Sequence, residues 1–211
     1  MIKIAFRDEN NLSVIGMKEI LDLCIPQKKE YFNFITETNC TMDIIITSLV
    51  PGELNLCYPD FKEHPGALII GVANNEISIP NEMPECCRDI LIISRKESIL
   101  KLRGKIIKSL KNRRIKRMSC NRCTYTKRSH LGISLMRLIL NGNSVEQCTE
   151  SLNCGPKAFY AAKYSFMAKC GLNNNFELVT LARALMRRKY YTHAHEVNSP
   201  PFFPEFHSSR R

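Results

Sequence analysis

Four short runs rich in isoleucine are spaced along the first hundred residues of the chain. They are IKIAF (2–6), MDIIITSL (42–49), GALIIGVA (66–73) and DILIIS (89–94). They lack the alternation of polar and apolar residues that marks a strand with one solvated face. Continuous apolar runs of this length are typical of strands buried on both faces, as in a parallel sheet flanked by helices. The runs therefore predict such a sheet.

Two segments between and after these runs have helical spacing. They are NLSVIGMKEILDLC (11–24) and SILKLRGKIIKSL (98–110). The apolar positions that show the spacing are Leu12, Ile15, Ile20 and Leu23 in the first segment and Leu100, Ile106, Ile107 and Leu110 in the second. Strands that alternate with helices predict a doubly wound α/β domain, which we assign to residues 1–110.

The two halves of the chain carry opposite net charges. Residues 1–100 hold nine Lys/Arg against fifteen Asp/Glu, a net of −6, and residues 101–211 hold twenty-two against five, a net of +17. Twelve basic residues and no acid lie in 101–128, and we interpret residues 111–128 as a basic linker. This asymmetry favours a polyanionic partner, nucleic acid or an anionic membrane surface, although a basic half also serves solubility.

The ten cysteines of the chain indicate a reducing compartment, where thiols stay free. The opening sequence MIKIAFRDENN has acids directly after its apolar run, unlike a secretion signal. No segment approaches the roughly 18 continuous apolar residues that a membrane span needs. We therefore expect a cytoplasmic protein without a membrane partner.

Cys120 and Cys123 in CNRC have the spacing of half a zinc site, and His130 follows seven residues later. A structural zinc ion needs four ligands, and no second close pair is nearby. We therefore expect free thiols, no bound metal and no other cofactor, while zinc binding or redox sensing by this pair stays open. The sequence also marks no nucleophile beside a base and no glycine-rich phosphate loop, so we do not expect an enzyme.

Residues 129–187 have the pattern of an all-α domain of four short helices. The predicted helices cover residues 130–140, 144–152, 156–170 and 176–186. Their ends are marked by Gly142, by a capping box of Ser144 and Gln147, by Pro156 and Gly171, and by the caps Asn174 and Glu177. Residues 188–211 show no period, and we expect a flexible tail there.

The third of these helices has two unlike faces. A buried stripe is predicted by apolar residues at spacings of three and four, namely Phe159, Ala162, Phe166 and Cys170. The opposite face carries Lys157, Tyr160, Ala161, Tyr164 and Ala168. Two short helices joined by a tight turn, the second basic and aromatic outside, have the form of a helix-turn-helix, whose second helix enters the major groove of DNA. The alternative is an amphipathic helix with solvated lysines.

The segment NGNSVEQCTESLNCGPKAFYAAKYSFMAKCGLNNNFELVTLA resembles the LuxR-type, or GerE-type, four-helix DNA-binding domain. It matches the family pattern without a gap at Gly142, Ser144, Leu152, Lys169, Gly171 and Leu172. It departs from the pattern where Cys148 and Thr149 replace Ile-Ala, and where Gly155-Pro156 replaces a turn that begins with serine. The resemblance implies a helix-turn-helix regulator that binds double-stranded DNA as a dimer.

Carried over position by position, the resemblance implies that Tyr160, Ala161 and Tyr164 face the bases. The remaining DNA contacts that it implies are Ser144, Lys157, Lys163 and Lys169. Tyrosine hydroxyls donate or accept, and an alanine methyl can touch thymine, but neither makes the bidentate guanine contact of arginine. We therefore expect modest sequence specificity. The alternatives are a tyrosine pair at i,i+4 that only stabilises the helix and lysines that are only solvated.

The opening MIKIAFRDENNLSVIGMKEIL is similar to the start of response-regulator receiver domains, where a strand ends in an acidic pair before a helix. Asp8 and Glu9 occupy that pair. In receivers such acids hold Mg²⁺ beside a phosphorylatable aspartate, and Ser48 fills the aspartate position here. The switch threonine and lysine of receivers align with Ala73 and Ile93. The resemblance implies a flavodoxin-like but degenerate receiver, in which Asp8 and Glu9 are ordinary strand-end acids.

Together these patterns predict a bacterial transcription regulator that binds double-stranded DNA and is not controlled by aspartate phosphorylation. By the resemblance, the fourth helix (176–186) contributes to self-association, either as a homodimer or as a heterodimer with another LuxR-type regulator. The alternative is an interaction protein that modulates or sequesters another LuxR-type regulator without productive DNA binding of its own.

Overall fold

The computed structural model describes residues 1–8, 10–33, 42–57, 66–74, 80, 83–84, 87–112 and 134–187. In chain order, the elements are β1 (Ile2–Arg7), α1 (Asn11–Cys24), β2 (Lys29–Asn33), β3 (Ile44–Leu49), a 3-10 turn (Glu53–Asn55), β4 (Leu68–Ala73), β5 (Leu91–Ser94), α2 (Ile99–Lys111), α3 (134–140), α4 (Val145–Ser151), α5 (Pro156–Cys170) and α6 (Asn175–Arg187).

The five described strands are parallel and form one sheet in the order β2-β1-β3-β4-β5. This is the strand order of flavodoxin-like doubly wound folds, so the predicted α/β class of the N-terminal part is confirmed. The four isoleucine-rich runs form β1, β3, β4 and β5. The sequence did not indicate β2, because its residues, KEYFN, mix charged with aromatic side chains and form no continuous apolar run.

Helices α1 and α2 pack together on one face of the sheet. The buried residues of this layer include Ile4, Ile46, Ile70 and Ile93 from the strands, Met17 and Leu21 from α1, and Leu102 and Ile106 from α2. Both helices were predicted, but of the eight apolar residues that define their spacing only Ile106 is fully buried. Leu12 is 81% exposed and Leu100 is 80% exposed. Both helices carry apolar residues on more than one face, and only one of those faces meets the sheet.

The opposite face of the sheet, at β3 and β4, packs against the C-terminal helices. Because strand side chains alternate in direction, Leu49 and Ile69 point to this second face. They belong to one apolar cluster, called here the shared core. Its buried members are Leu49, Leu54, Leu56, Ile69, Cys87 and Ile90 from the N-terminal part, and Met136, Phe166, Met167, Cys170, Leu172, Leu178, Leu181, Ala182 and Leu185 from the C-terminal part. The two parts of the chain therefore bury apolar surface against each other.

The two parts approach each other closely at the loop after β3. Gly52 has φ +81°, and a Cβ atom at this position would lie 2.7 Å from Leu172 Cδ2 and 3.1 Å from the Cys170 carbonyl oxygen. The side-chain amide of Asn55 donates to the same carbonyl at 3.1 Å. The left-handed backbone and the tight contact together require a glycine at position 52.

The ends of the C-terminal helices follow the sequence predictions. Ser144 and Gln147 form the complete capping box at the start of α4. Helix α5 begins at Pro156 and is closed by Gly171, whose φ is 65°. At α6, the N–H of Glu177 donates to the Asn174 side chain at 2.9 Å.

Parts of the predicted organisation lie outside the described residues. They comprise Glu9, most of the predicted linker with Cys120 and Cys123, the start of the first predicted C-terminal helix with His130, and the predicted tail 188–211. The boundaries that separate the predicted domains at residues 110 and 129 therefore stay a prediction.

Candidate nucleic-acid interface

The connection between α4 and α5 is a tight turn held by backbone hydrogen bonds. Asn153 has φ 48°, its N–H donates to the Glu150 carbonyl at 3.0 Å, and the N–H of Cys154 donates to the Thr149 carbonyl at 2.9 Å. This pair of bonds around a left-handed residue is the Schellman arrangement that ends many helices. Only the four residues 152–155 separate α4 from α5, which is the short connection of a helix-turn-helix.

A small apolar cluster fixes the angle between α4 and α5. Its buried members are Leu135, Cys148, Leu152 and Phe159. Phe159 is the first residue of the predicted buried stripe of α5, and Phe166, Met167 and Cys170 continue that stripe into the shared core. Helix α5 is therefore anchored along one side by two apolar clusters, and its other side faces solvent.

The solvent-facing side of α5 carries the predicted base-facing residues. Tyr160 is 42% exposed, Tyr164 is 57% exposed, and Ala161 is also exposed. Lys157 and Lys169 are exposed as well. The sequence of α5, PKAFYAAKYSFMAKC, contains no acid. This surface therefore combines positive charge with aromatic groups that end in hydroxyls, and nothing on α5 neutralises it.

Tyr160 and Tyr164 form a stacked pair on this surface. Their ring centres are 6.4 Å apart, and the ring planes differ by 22°. Lys163 is only partly exposed, and its ammonium lies 5.7 Å from the centre of the Tyr164 ring. A cation at this distance from a ring is attracted by the electrons of its face. Lys163 is thus placed beside the tyrosine pair and is less exposed than Lys157 and Lys169.

Ser144 has a structural task at the start of α4. Its Oγ accepts the Gln147 N–H at 3.3 Å, and its own N–H donates to the Gln147 side chain at 2.8 Å. A hydrogen bond from the Ser144 side chain lowers the pKa of the Glu146 carboxyl. Ser144 is exposed, but its polar groups already serve the cap, and its predicted DNA contact stays a prediction.

A second polar cluster lies at the carboxyl edge of the sheet. Arg95, which follows β5, donates through Nη2 to Asp8 Oδ2 at 2.6 Å and to Ser48 Oγ at 2.9 Å. The Ser13 hydroxyl donates to Asp8 Oδ2 at 2.8 Å, and the Asn10 N–H donates to Asp8 Oδ1 at 3.0 Å. These contacts link the ends of β1, β3 and β5, and we call Asp8, Ser48 and Arg95 the sheet-edge cluster.

The sequence reasoning found two members of this cluster and missed the third. Ser48 and Asp8 lie together at the carboxyl edge of the sheet, and the equivalence of Ser48 to the receiver phosphoacceptor stays a prediction. Ile93, which aligned with the receiver lysine, is instead buried under α1 and α2. The basic residue that reaches the cluster is Arg95, two positions later. A basic residue directly after the last strand was the available signal.

The described residues offer no ready metal site. They contain no group of three or more His, Cys, Asp or Glu side chains that could hold an ion. Burial raises the pKa of the Cys148 and Cys154 thiols, and that of Cys170 to about 12. These three thiols are therefore protonated at neutral pH and are poor metal ligands and poor nucleophiles. None of the helices that the structure describes is long and apolar enough to cross a membrane.

The comparisons with known proteins give a likeness of fold. No protein-family model and no curated protein matches the chain. Similar solved structures include a DNA complex of the response regulator RcsB, with 16% identity and a TM-score of 0.46, covering 87% of this chain and 98% of that chain. RcsB from Salmonella enterica serovar Typhimurium bound to a promoter has 17% identity and a TM-score of 0.49, with the same coverage. Full-length FixJ from B. japonicum has 12% identity and a TM-score of 0.37, covering 88% and 96%.

Identities below 25% and TM-scores below 0.5 do not show a function for this chain. They carry no argument about the fold or the partners of this chain. The LuxR-type resemblance of residues 129–187 therefore stays a prediction, and the functional proposal depends on the chain's own geometry.

Proposed function

We propose that the protein is a bacterial transcription regulator that binds double-stranded DNA through α4, the turn and α5. The observation that carries the proposal is the two-sided character of α5. One side is buried in two apolar clusters, and the other exposes Lys157, Tyr160, Ala161 and Tyr164. A recognition helix must be fixed along one side and free along the other in order to enter a major groove.

The distribution of charge along the sequence supports a DNA partner. The half of the chain that contains α5 has a net charge of +17. Contacts to phosphates release bound counterions, so affinity falls steeply as salt rises. In the proposed complex, Lys157 and Lys169 neutralise phosphates, and Lys163 contributes from the flank of the helix. Ser144 can contact a phosphate at the start of α4 only if its hydroxyl does so while its oxygen still accepts the Gln147 N–H.

The tyrosines and the alanine are the proposed base-reading residues. A tyrosine hydroxyl can donate to or accept from a base edge, and the Ala161 methyl can pack against a thymine methyl. The exposed face of α5 has no arginine, asparagine or glutamine for bidentate base recognition. Specificity is therefore proposed to be modest, with much of the affinity supplied by phosphate contacts.

We further propose that aspartate phosphorylation does not control this protein. The support is chemical, because Ser48 has a hydroxyl at the position of the receiver phosphoacceptor and cannot form an acyl phosphate. After treatment with acetyl phosphate, a Phos-tag gel is expected to show no phosphorylated form of the protein. A phosphorylated species that hydrolyses like an acyl phosphate would contradict this part of the proposal.

The DNA proposal is tested by fluorescence anisotropy with a labelled genomic duplex at several salt concentrations. With three lysines that neutralise phosphates, affinity is expected to fall about 40-fold between roughly 50 and 200 mM salt. Changing Tyr160 and Tyr164 to Ala is expected to weaken binding by about 5- to 150-fold for each base interaction that the substitution removes. Phe176→Ala is the matched control, because Phe176 is a 78% exposed aromatic residue on α6.

The second candidate function is an interaction protein that sequesters another LuxR-type regulator. The absence of bidentate base readers from α5 favours it, as does the apolar surface exposed on α1 and α2. Such a protein would bind DNA weakly and without sequence preference, and the two tyrosine substitutions would leave its activity unchanged. The anisotropy experiment therefore separates the two functions.

Self-association is proposed to use the outer surfaces of α1 and α2. Exposed apolar residues are concentrated there, namely Leu12, Ile15, Leu23, Ile99 and Leu100. The same surface has acids on α1 (Glu19 and Asp22) and bases on α2 (Lys101 and Arg103), so a twofold pairing of two copies can set opposite charges against each other. The predicted role of α6 is less well supported, because Leu178, Leu181 and Leu185 are buried in the shared core.

A further inference from the structure

The sheet-edge cluster joins the ends of three strands around one guanidinium group. Arg95 lies just past β5, Ser48 is on β3, and Asp8 follows β1. The Arg95 side chain is 25% exposed and that of Asp8 is 5% exposed, and the two atoms that join them are 2.6 Å apart. Charged hydrogen bonds of this length are among the stronger ones in proteins. The cluster is therefore a nearly buried ion pair with a hydroxyl as its third member.

The described residues of this cluster do not fit a magnesium ion. Magnesium requires near-octahedral oxygen ligands at about 2.0–2.1 Å. Both carboxylate oxygens of Asp8 already accept hydrogen bonds, from Arg95 and Ser13 at Oδ2 and from Asn10 at Oδ1. A metal ion that bridged Asp8 to position 48 would also meet the positive Arg95 group, which already touches both residues. The receiver resemblance implies a magnesium ion here. Two features oppose it: the Asp8 oxygens already accept hydrogen bonds, and the Arg95 group is positive.

We propose that the Arg95 guanidinium is the resident cation of this site and takes the place of a divalent ion. It neutralises Asp8, satisfies the Ser48 hydroxyl and ties β5 to β1 and β3, so the edge of the sheet is held in one ion-independent arrangement. The inference rests on the part of the proposed function that excludes aspartate phosphorylation, and it does not depend on DNA binding.

Removing Arg95 gives the proposal a direct consequence. In Arg95→Ala, the Asp8 carboxylate, which is 5% exposed, loses its counter-charge, and an uncompensated charge is costly at a nearly buried position. In the double variant Ser48→Asp with Arg95→Ala, two carboxylates face each other across the same gap. Both changes convert the site from one that repels cations into one that attracts them.

The experiment is a thermal unfolding series in MgCl₂ against NaCl of equal ionic strength, with Mn²⁺ binding followed by electron paramagnetic resonance. The wild-type protein is expected to show no magnesium-specific change and no bound Mn²⁺. The double variant is expected to bind Mn²⁺, and a tenfold excess of MgCl₂ over its Kd is expected to raise its unfolding midpoint by about 3–6 °C. Lys96→Ala, which alters the exposed neighbouring residue, is expected to behave like the wild type.

Specific Mn²⁺ binding by the wild-type protein would overturn the proposal, as would a double variant that folds and remains indifferent to both ions. If Arg95→Ala or the double variant does not fold without added magnesium, recovery of its fold in MgCl₂ but not in NaCl supports the proposal. In that case Arg95→Gln, which keeps a hydrogen-bond donor and removes the charge, is measured in the same way, and its failure to bind Mn²⁺ counts against the proposal. Acetyl phosphate labelling of the wild-type protein tests the phosphorylation proposal separately, so the two can fail independently.

Discussion

Replacing Glu53 by glutamine tests how the junction between the two parts of the chain responds to pH. Glu53 lies in the 3-10 turn after β3, beside Leu54 of the shared core, and its side chain is fully buried. Its Oε2 accepts the Val50 N–H at 2.8 Å. Burial raises its pKa from 4.5 to about 8, although the hydrogen bond from Val50 and the charge of Arg7 act in the opposite direction. At neutral pH Glu53 is therefore mostly protonated in the folded protein.

The sign and size of the effect follow from this pKa. A group whose pKa is higher in the folded state than in the unfolded state contributes stability that is complete below about pH 4.5 and is lost as pH rises through about 8. Between pH 6 and pH 8 the free energy of unfolding is expected to fall by about 2 kcal/mol through Glu53 alone. Glu53→Gln keeps an oxygen for the Val50 N–H and cannot ionise, so this contribution to the pH dependence disappears.

Urea unfolding followed by far-ultraviolet circular dichroism at pH 6 and pH 8 measures the effect. The wild-type protein is expected to lose about 2 kcal/mol more than the Glu53→Gln variant over this range. Glu150→Gln, which removes an exposed carboxyl on α4, is expected to leave the pH dependence unchanged. Equal slopes for the wild type and Glu53→Gln would show that Glu53 is ionised in the folded protein and would refute the reasoning.

Two further predictions concern the contact between the parts of the chain and the contact between copies. Gly52→Ala is expected to lower the free energy of unfolding by about 1–3 kcal/mol more than Gly142→Ala. Both positions have positive φ and share the cost of about 1–2 kcal/mol for a left-handed alanine, but only Gly52 meets atoms of Leu172 and Cys170. Urea midpoints compare the two variants, and equal losses would contradict the close packing at this loop. Leu100→Glu is expected to dissociate dimers at micromolar concentration in sedimentation velocity, whereas an unchanged oligomer would assign self-association to another surface.

Most of the sheet was predictable because four of its strands have a clear local sequence signal. β1, β3 and β4 lie between two neighbours, and β5, which pairs with β4 alone, is still a continuous apolar run, so none of the four needs long-range information. The other edge strand, β2, has the mixed sequence KEYFN, which resembles many loops. Its place beside β1 is fixed by pairing across the chain, from Ile2 with Lys29 to Phe6 with Asn33, which local composition does not encode.

The candidate interface was predictable in its helices and less so in its surroundings. Capping by Ser144 and Gly171 is local chemistry, and the spacing of Phe159 and Phe166 indicates the buried side of α5. The packing of that side onto Leu49 and Ile69 joins residues more than 80 positions apart, so local sequence patterns do not predict this contact. For the same reason, the sequence pointed to Leu12 as part of an apolar face without showing that this face is turned away from the sheet.

At the sheet-edge cluster, the receiver pattern indicated that the lysine is lost at Ile93 but did not indicate Arg95. Ile93 is buried under the helices. Arg95 lies two positions after Ile93, just beyond the end of β5. Its side chain is long enough to reach Asp8 and Ser48 from there.

The central claim, that the exposed side of α5 lies against DNA, is tested most directly by hydroxyl-radical footprinting of the protein with and without a saturating genomic duplex. Oxidation of Tyr160 and Tyr164 is expected to fall several-fold in the complex, while oxidation of Phe176 on α6 stays the same. A complex that forms while both tyrosines remain as reactive as in the free protein would contradict the account.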